Sequence, residues 1–189
     1  MASGPAERAR LLGLVRDFIL ARGVVELSLS ELSRGIGSNN RMLLYHFGSL
    51  DKILAAAIDE VLDGDLLISR LTELLHSRSS SAGRVTAAWR HISDPERLPH
   101  LRLFFARFGM ASDSPQRYAD FLVRTREEWT DIVAAALGDD EEIPDPLGTA
   151  VAIVGLWRGL QVLLISGEPQ KAVDEIHDRS IAALLRPLI

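Results

Sequence analysis

The chain is predicted to be all-α, and three features carry that expectation. Apolar residues recur at three- and four-residue spacing in every long segment, and no segment alternates apolar and polar residues as a strand does. Residues 28 to 54 also place a capping signal, a glycine turn and a second capping signal in close succession, which is the plan of a helix-turn-helix. The expected organisation is a three-helix helix-turn-helix domain over residues 1 to 52 and a second helical domain over 53 to 189.

The first helix has Leu11, Leu12, Val15, Phe18 and Ile19 as its apolar stripe and ends at Gly23. The second begins with a capping box: Ser28 accepts from the Glu31 N–H while the Glu31 carboxylate reaches back to the Ser28 N–H. Gly35 and Gly37 bracket Ile36, and a glycine just past a short helix supplies the left-handed backbone that ends it. Asn39 is the N-cap of the third helix, with Leu43 and Phe47 one turn apart on a single face. Leu32, Ile36, Leu43 and Phe47 are the expected inner core.

A long helix is expected from Ser49 to about Leu75, with Ile53, Leu54, Ala57, Ile58, Val61 and Leu62 apolar. Its start would pack on the small domain and its end would enter the second. Residues 78 to 83 hold three serines and read as a mobile loop. Helices near 84 to 92 and 96 to 110 follow. A long one from Pro115 to Leu137 places Tyr118, Phe121, Leu122, Thr125, Trp129, Ile132, Val133 and Ala136 on one face, with Pro115 in the first turn, where a missing N–H costs nothing. Residues 138 to 146 form an acidic loop. Asp139, Asp140, Glu141 and Glu142 lie there without other ligands at metal spacing, so solvation is expected rather than a cation site. Two more helices span 146 to 166 and 169 to 187.

In the helix-turn-helix, Asn40, Arg41, Leu44 and Tyr45 are expected to point outward, and that set suits DNA. An amide pairs with the N6 and N7 edge of adenine, a guanidinium with O6 and N7 of guanine, and a leucine touches a thymine methyl. Tyr45 and His46 at the end of the helix suit phosphate contacts that set the docking register. Ser28, Ser30 and Asn39 at helix amino termini and the cations Arg34, Arg41 and Lys52 complete the candidate DNA set. Charge agrees with this placement. The whole chain carries −5, but residues 1 to 52 hold seven Lys or Arg against five Asp or Glu, and the excess of acid lies in the rest.

On these residues the chain resembles the amino-terminal DNA-binding domain of the TetR family of transcriptional regulators. The resemblance covers about residues 8 to 60: the first helix ending at Gly23, the Leu-Ser-x-Ser-Glu-Leu entry, Gly37, and above all Leu-Leu-Tyr-His-Phe-Gly-Ser at 43 to 49. The family usually has Tyr where this chain has Leu44, and Lys or Arg where it has Leu50, both positions that commonly serve phosphate binding. Lys52, two residues on, is the candidate substitute. The resemblance implies that the second domain binds an effector and dimerises, and that the protein binds a near-palindromic operator as a homodimer, most often as a repressor.

The helix at 146 to 166 is apolar nearly all round and approaches the roughly 20 residues needed to span a bilayer. Arg158 near its middle would cost about 2.5 to 3.5 kcal/mol on an insertion scale, and three glycines dilute the apolar content, so a buried helix is expected instead of a membrane span. Gly155 and Gly159 expose backbone along one side. With Ile181 and Leu184 of the last helix they are the expected dimer contacts, in a four-helix bundle across a two-fold axis. Trp89, Phe104, Phe105, Phe108, Trp129 and Trp157 supply aromatic surface for a pocket, with Arg107 or Gln161 to orient a polar group. A small apolar or aromatic effector is the expected ligand.

At 189 residues and 47% apolar content the chain has ample material for one domain or two small ones. It contains no cysteine, so disulfides and thiolate metal sites are excluded. The amino terminus does not have the form of a signal peptide, and a cytoplasmic location is expected. The five histidines show no metal-ligand spacing, and neither a Gly-x-Ser-x-Gly elbow nor a phosphate loop is present, so neither catalysis nor a cofactor is expected. The reading from another class is a helical small-molecule-binding or interaction protein of the same fold with lost or weakened DNA binding. Leu44 and Leu50 are the residues that carry it.

Overall fold

The computed structural model describes residues 4 to 63 and 67 to 186, and among them every regular element is helical. They are α1 (Gly4–Arg22), α2 (Leu29–Gly35), α3 (Asn40–Phe47), α4 (Leu50–Asp63), α5 (Leu67–Leu75), α6 (Ser81–Ile92), α7 (Leu98–Asp113), α8 (Ala119–Leu137), α9 (Pro146–Ile165) and α10 (Gln170–Leu184). Single 3-10 turns at Pro95–Arg97 and Pro115–Tyr118 precede α7 and α8. The expected long helix is seen as α4 and α5, and its residues 64 to 66 lie outside the described residues. The expected loop at 78 to 83 is shorter than its composition suggests. Ser80 caps α6 by accepting from the Gly83 N–H at 3.1 Å, so Ser81, Ala82 and Gly83 form its first turn.

The chain forms two compact units whose limits differ from the expected boundary at residue 52. The first comprises residues 1 to 65 together with 99 to 113, and the second 66 to 98 with 114 to 189. Residue 52 falls inside α4, whose Ile53, Leu54, Ala57, Ile58 and Val61 are buried in the core of the first unit beside Leu11, Val15 and Ile19 of α1. A cut there would strip α1 of its apolar cover. Leu103 of α7 is buried in the same core, and Arg107 one turn later grips Asp59 of α4 as a fork, with Nε to Oδ1 at 2.7 Å and a terminal nitrogen to Oδ2 at 3.0 Å.

In the second unit α8 and α10 pack on α9, α5 on α6 and α8, and α10 also on α6. Trp89 and Trp157 are fully buried at its centre. Between them lies His177, also fully buried and stacked on Trp89 with ring centroids 5.1 Å apart. Its Nε2 accepts from Trp157 Nε1 at 3.2 Å, which puts the imidazole proton on Nδ1, 3.0 Å from Asp178 Oδ1. Trp89 Nε1 donates to Asp174 at 2.8 Å, and Arg90 bridges Asp174 and Asp178. Arg158 lies 4.2 Å over the Trp129 ring and donates to Gln161 at 3.0 Å, and burial pushes its guanidinium down to about 10, still protonated at neutral pH.

Burial lowers the His177 pKa below the ordinary 6.5, outweighing the pull of Asp178 towards the charged form. The unfolded chain therefore takes up this proton first as pH falls. Stability from the neutral imidazole is complete above about pH 6.5 and declines below it, by at most about 1.4 kcal/mol per pH unit until the folded-state pKa is passed. Urea unfolding between pH 5 and 7.5 is expected to show that loss, with a smaller slope in His177→Gln. Equal slopes would remove His177 as the cause.

Candidate nucleic-acid interface

The local chemistry of residues 28 to 48 builds a tight two-helix corner. Ser28 and Glu31 form the expected capping box, with the Glu31 N–H donating to Ser28 Oγ at 3.2 Å and the Ser28 N–H to Glu31 Oε2 at 3.4 Å. Gly37 alone is the left-handed residue of the turn, at φ +66°, and the Ser38 N–H closes onto the Ser33 carbonyl at 2.8 Å. Gly35 serves another purpose: a Cβ there would stand 2.2 Å from the Phe18 ring, so its bare backbone lets α1 and α2 approach. Asn39 caps α3 by accepting from the Met42 N–H at 2.9 Å, and Gly48 at φ +89° ends it.

This corner buries Leu32, Leu43 and Phe47 and half-buries Ile36, in line with the expected inner core. It leaves one face of α3 open. Tyr45 is 80% exposed and Leu44 40%, and Arg41 is exposed beside them. Together with Met42 they line a shallow hollow. Tyr45 meets the half-buried His46 edge to face, with centroids 5.0 Å apart, and His46 in turn meets Phe47 at 6.5 Å. Asn40 departs from the expected outward set. Its Oδ1 accepts from Ser33 Oγ at 2.7 Å and its Nδ2 donates to Ser30 Oγ at 3.1 Å, so the amide faces α2.

The charges sort themselves by partner. Arg10 is tied to Glu7, Arg16 to Asp17 and Glu60, and Arg22 to Glu31 at 2.9 Å. Within residues 4 to 63 that leaves Arg8, Arg34, Arg41 and Lys52 as the cations without a carboxylate partner among the described residues. Arg8 stands 4.8 Å over the Phe47 ring at the end of α3. It was missing from the sequence-derived set, because nothing at positions 8 and 47 signals that they meet. Lys52 runs back towards Gly48, its Nζ 3.8 Å from where a Cβ would be, while Leu50 is half-buried against the core of the unit.

The eight residues expected to line one effector pocket do not come together in one compact unit. Trp89, Trp129, Trp157 and Gln161 are buried in the second unit. Phe104, Phe105, Arg107 and Phe108 belong, through α7, to the first, where Phe104 meets Phe105 edge to face at 5.3 Å and Arg107 holds Asp59. Trp89 and Trp157 spend their N–H groups on Asp174 and His177, and the Trp129 face is covered by Arg158. His177 and Asp59 were overlooked. His177 lies four residues from both Val173 and Ile181, a spacing that places it on the buried stripe. Asp59 has no such signal, since its partner is 48 residues away.

Of the four expected dimer contacts, Gly155, Gly159 and Leu184 are exposed, but Ile181 is 1% exposed and is spent on the core of its own chain. The buried stripe of α10 is Val173, His177 and Ile181, on a helix that packs against α6 and α9. Leu147, Val151 and Val162 extend the exposed glycine line along α9 at 57, 56 and 46% exposure. A Cβ at either glycine would meet nothing within 4 Å. By length and mean hydropathy α9 could cross a membrane, yet Ala150, Ile153, Val154, Trp157, Leu160, Gln161 and Leu164 are buried within the unit.

No family model and no curated protein sequence matches the chain. Solved structures do. A transcriptional regulator from Rhodococcus sp. Rha1 superimposes with a TM-score of 0.75 at 20% identity, over 96% of this chain and 98% of its own. A TetR-family transcriptional regulator from Streptomyces coelicolor gives 0.72 at 22% identity, over 94% and 93%. A regulator from Saccharomonospora viridis, solved in complex with choline, gives 0.72 at 18% identity over 96% of each chain. At these identities the likeness is one of fold, and it extends over both units.

Proposed function

We propose that this chain, which has the fold of the TetR-family regulators, is a ligand-responsive DNA-binding transcriptional regulator that binds a near-palindromic operator as a homodimer and acts as a repressor in the cytoplasm. The observation that carries the reading is the exposed face of α3, where a guanidinium, an aliphatic side chain and a phenol stand together on a helix held by caps at both ends. Arg41, Leu44 and Tyr45 enter the major groove, while Arg8, Arg34, His46 and Lys52, with Ser28 and Ser30 at the start of α2, face phosphates.

The α9 stripe supports the dimer, because an apolar line interrupted by two bare glycines suits close approach of a second helix. Two heads then read two half-sites, and their separation becomes a geometric requirement. A small apolar or aromatic effector binds through the second unit and acts by favouring one head separation over another. The alternative, a small-molecule-binding or interaction protein without DNA readout, draws on Leu50, whose side chain is turned to the core where a phosphate-binding cation would be needed.

Genomic site selection followed by fluorescence anisotropy tests the reading. If Arg8, Arg34 and Lys52 of each head each neutralise one phosphate, log K is expected to fall with log salt at a slope of about −5. Sedimentation should show a dimer. A folded dimer that binds neither random duplex at low salt nor the DNA flanking its own gene would overturn DNA binding in favour of the alternative.

A further inference from the structure

Asn40 carries the residue type of an adenine reader at the start of the exposed helix, yet its amide is already engaged. Ser33 Oγ lies 2.7 Å from Asn40 Oδ1 and 3.2 Å from the Ser30 carbonyl, and Asn40 Nδ2 donates to Ser30 Oγ at 3.1 Å. Three polar side chains from two helices thus form one short circuit. Ser33 is 6% exposed and lies behind α3, so it cannot touch a nucleic acid. The Ser33 hydroxyl has one proton and Asn40 Oδ1 is its nearer acceptor, and with the Nδ2 bond to Ser30 this ties the α3 amino terminus to α2 at two points.

Resting on the DNA-binding reading above, we infer that Asn40 is a positioning residue: with Ser33 and Ser30 it braces α3 against α2 and sets the angle at which Arg41, Leu44 and Tyr45 meet the bases. The apolar contacts of Leu32, Leu43 and Phe47 hold the two helices together but are non-directional. The brace supplies the direction. Tyr45 lies five residues beyond Asn40, about 7.5 Å along the helix. A 10° turn about the brace moves it by about 1.3 Å, more than the roughly 0.5 Å that a base contact tolerates.

The test is a double-mutant cycle on the selected operator and on all its single base-pair variants, with Asn40→Ala, Ser33→Ala, the double variant and Ser33→Thr, which keeps the hydroxyl. A brace predicts that each alanine lowers affinity by about 5- to 30-fold in a two-headed complex. The loss should follow the same profile over base-pair variants for Ser33 and Asn40, the double should be no worse than either single, and threonine should restore binding. Thermal melts confirm that each variant is folded, and Asn40→Ala alone remains decisive through its base-pair profile if a Ser33 variant is not. Asn40→Ala relaxing preference at one base pair while Ser33→Ala is silent would make Asn40 a base reader and overturn the inference, as would additive losses. Wild-type protein that binds no selected site would instead overturn the DNA-binding reading itself.

Discussion

Alanine at position 157 is expected to remove about 3 to 5 kcal/mol from the stability of the second unit. Trp157 is 1% exposed, its ring meets Trp129 edge to face at 6.4 Å, and its N–H is the donor to His177 Nε2. Truncation therefore leaves both a large cavity and a buried nitrogen without its donor, and the second effect alone costs about 1 to 3 kcal/mol. The loss is a large share of the roughly 5 to 15 kcal/mol that holds a domain folded. Denaturant unfolding followed by circular dichroism measures it, and Trp157→Phe separates the two causes by keeping most of the volume and discarding the N–H. Phenylalanine is expected to be intermediate. If it matched wild type, the bond to His177 would contribute nothing, and if alanine cost under about 1 kcal/mol, the centre of this unit would not be where the burial places it.

Arg41→Ala is expected to have the largest effect on DNA binding. The guanidinium is exposed on α3, has no carboxylate partner among the described residues, and stands beside Leu44 and Tyr45. A bidentate contact to guanine discriminates by about 1 to 3 kcal/mol, and a two-headed complex loses it twice, for about 2 to 6 kcal/mol in all. Anisotropy titrations over a salt series decide its role. Relaxed preference at one base pair in each half-site marks a base contact, whereas a uniform loss with a salt slope shallower by about one per head marks a phosphate contact. Unchanged affinity would exclude Arg41 from the interface. Since Arg41 makes no bond that holds the corner together, stability should stay within about 0.5 kcal/mol of wild type, so that a binding loss reports recognition and not unfolding.

Much of the first unit was legible because its signals are local. A capping box needs two residues three apart, an N-cap one residue and the N–H three beyond it, and a left-handed turn one glycine, so Ser28, Glu31, Asn39 and Gly37 could be assigned without knowing where the chain goes next. Buried stripes were legible for the same reason, as with Leu11, Val15 and Ile19 in α1. Asn40 was misjudged as outward-facing because a residue type suited to adenine says nothing about whether its amide is already satisfied. That depended on Ser30 and Ser33, ten and seven residues away across a turn. Ile181 was given to a partner chain because periodicity identifies a buried face without saying what buries it.

The sequence by itself therefore determined the helices, the ends that carry a local capping signal and the apolar stripes, since backbone hydrogen bonds within a helix close over four residues and apolar periodicity is a one-dimensional property. Tertiary structure alone decided that α7 belongs with the first unit, gripping Asp59 through Arg107, and that His177 is sealed between two tryptophans. It also decided which cations remain available to a phosphate. Those outcomes depend on pairing across 20 to 85 residues of chain, where burial and charge select partners only once the helices have packed.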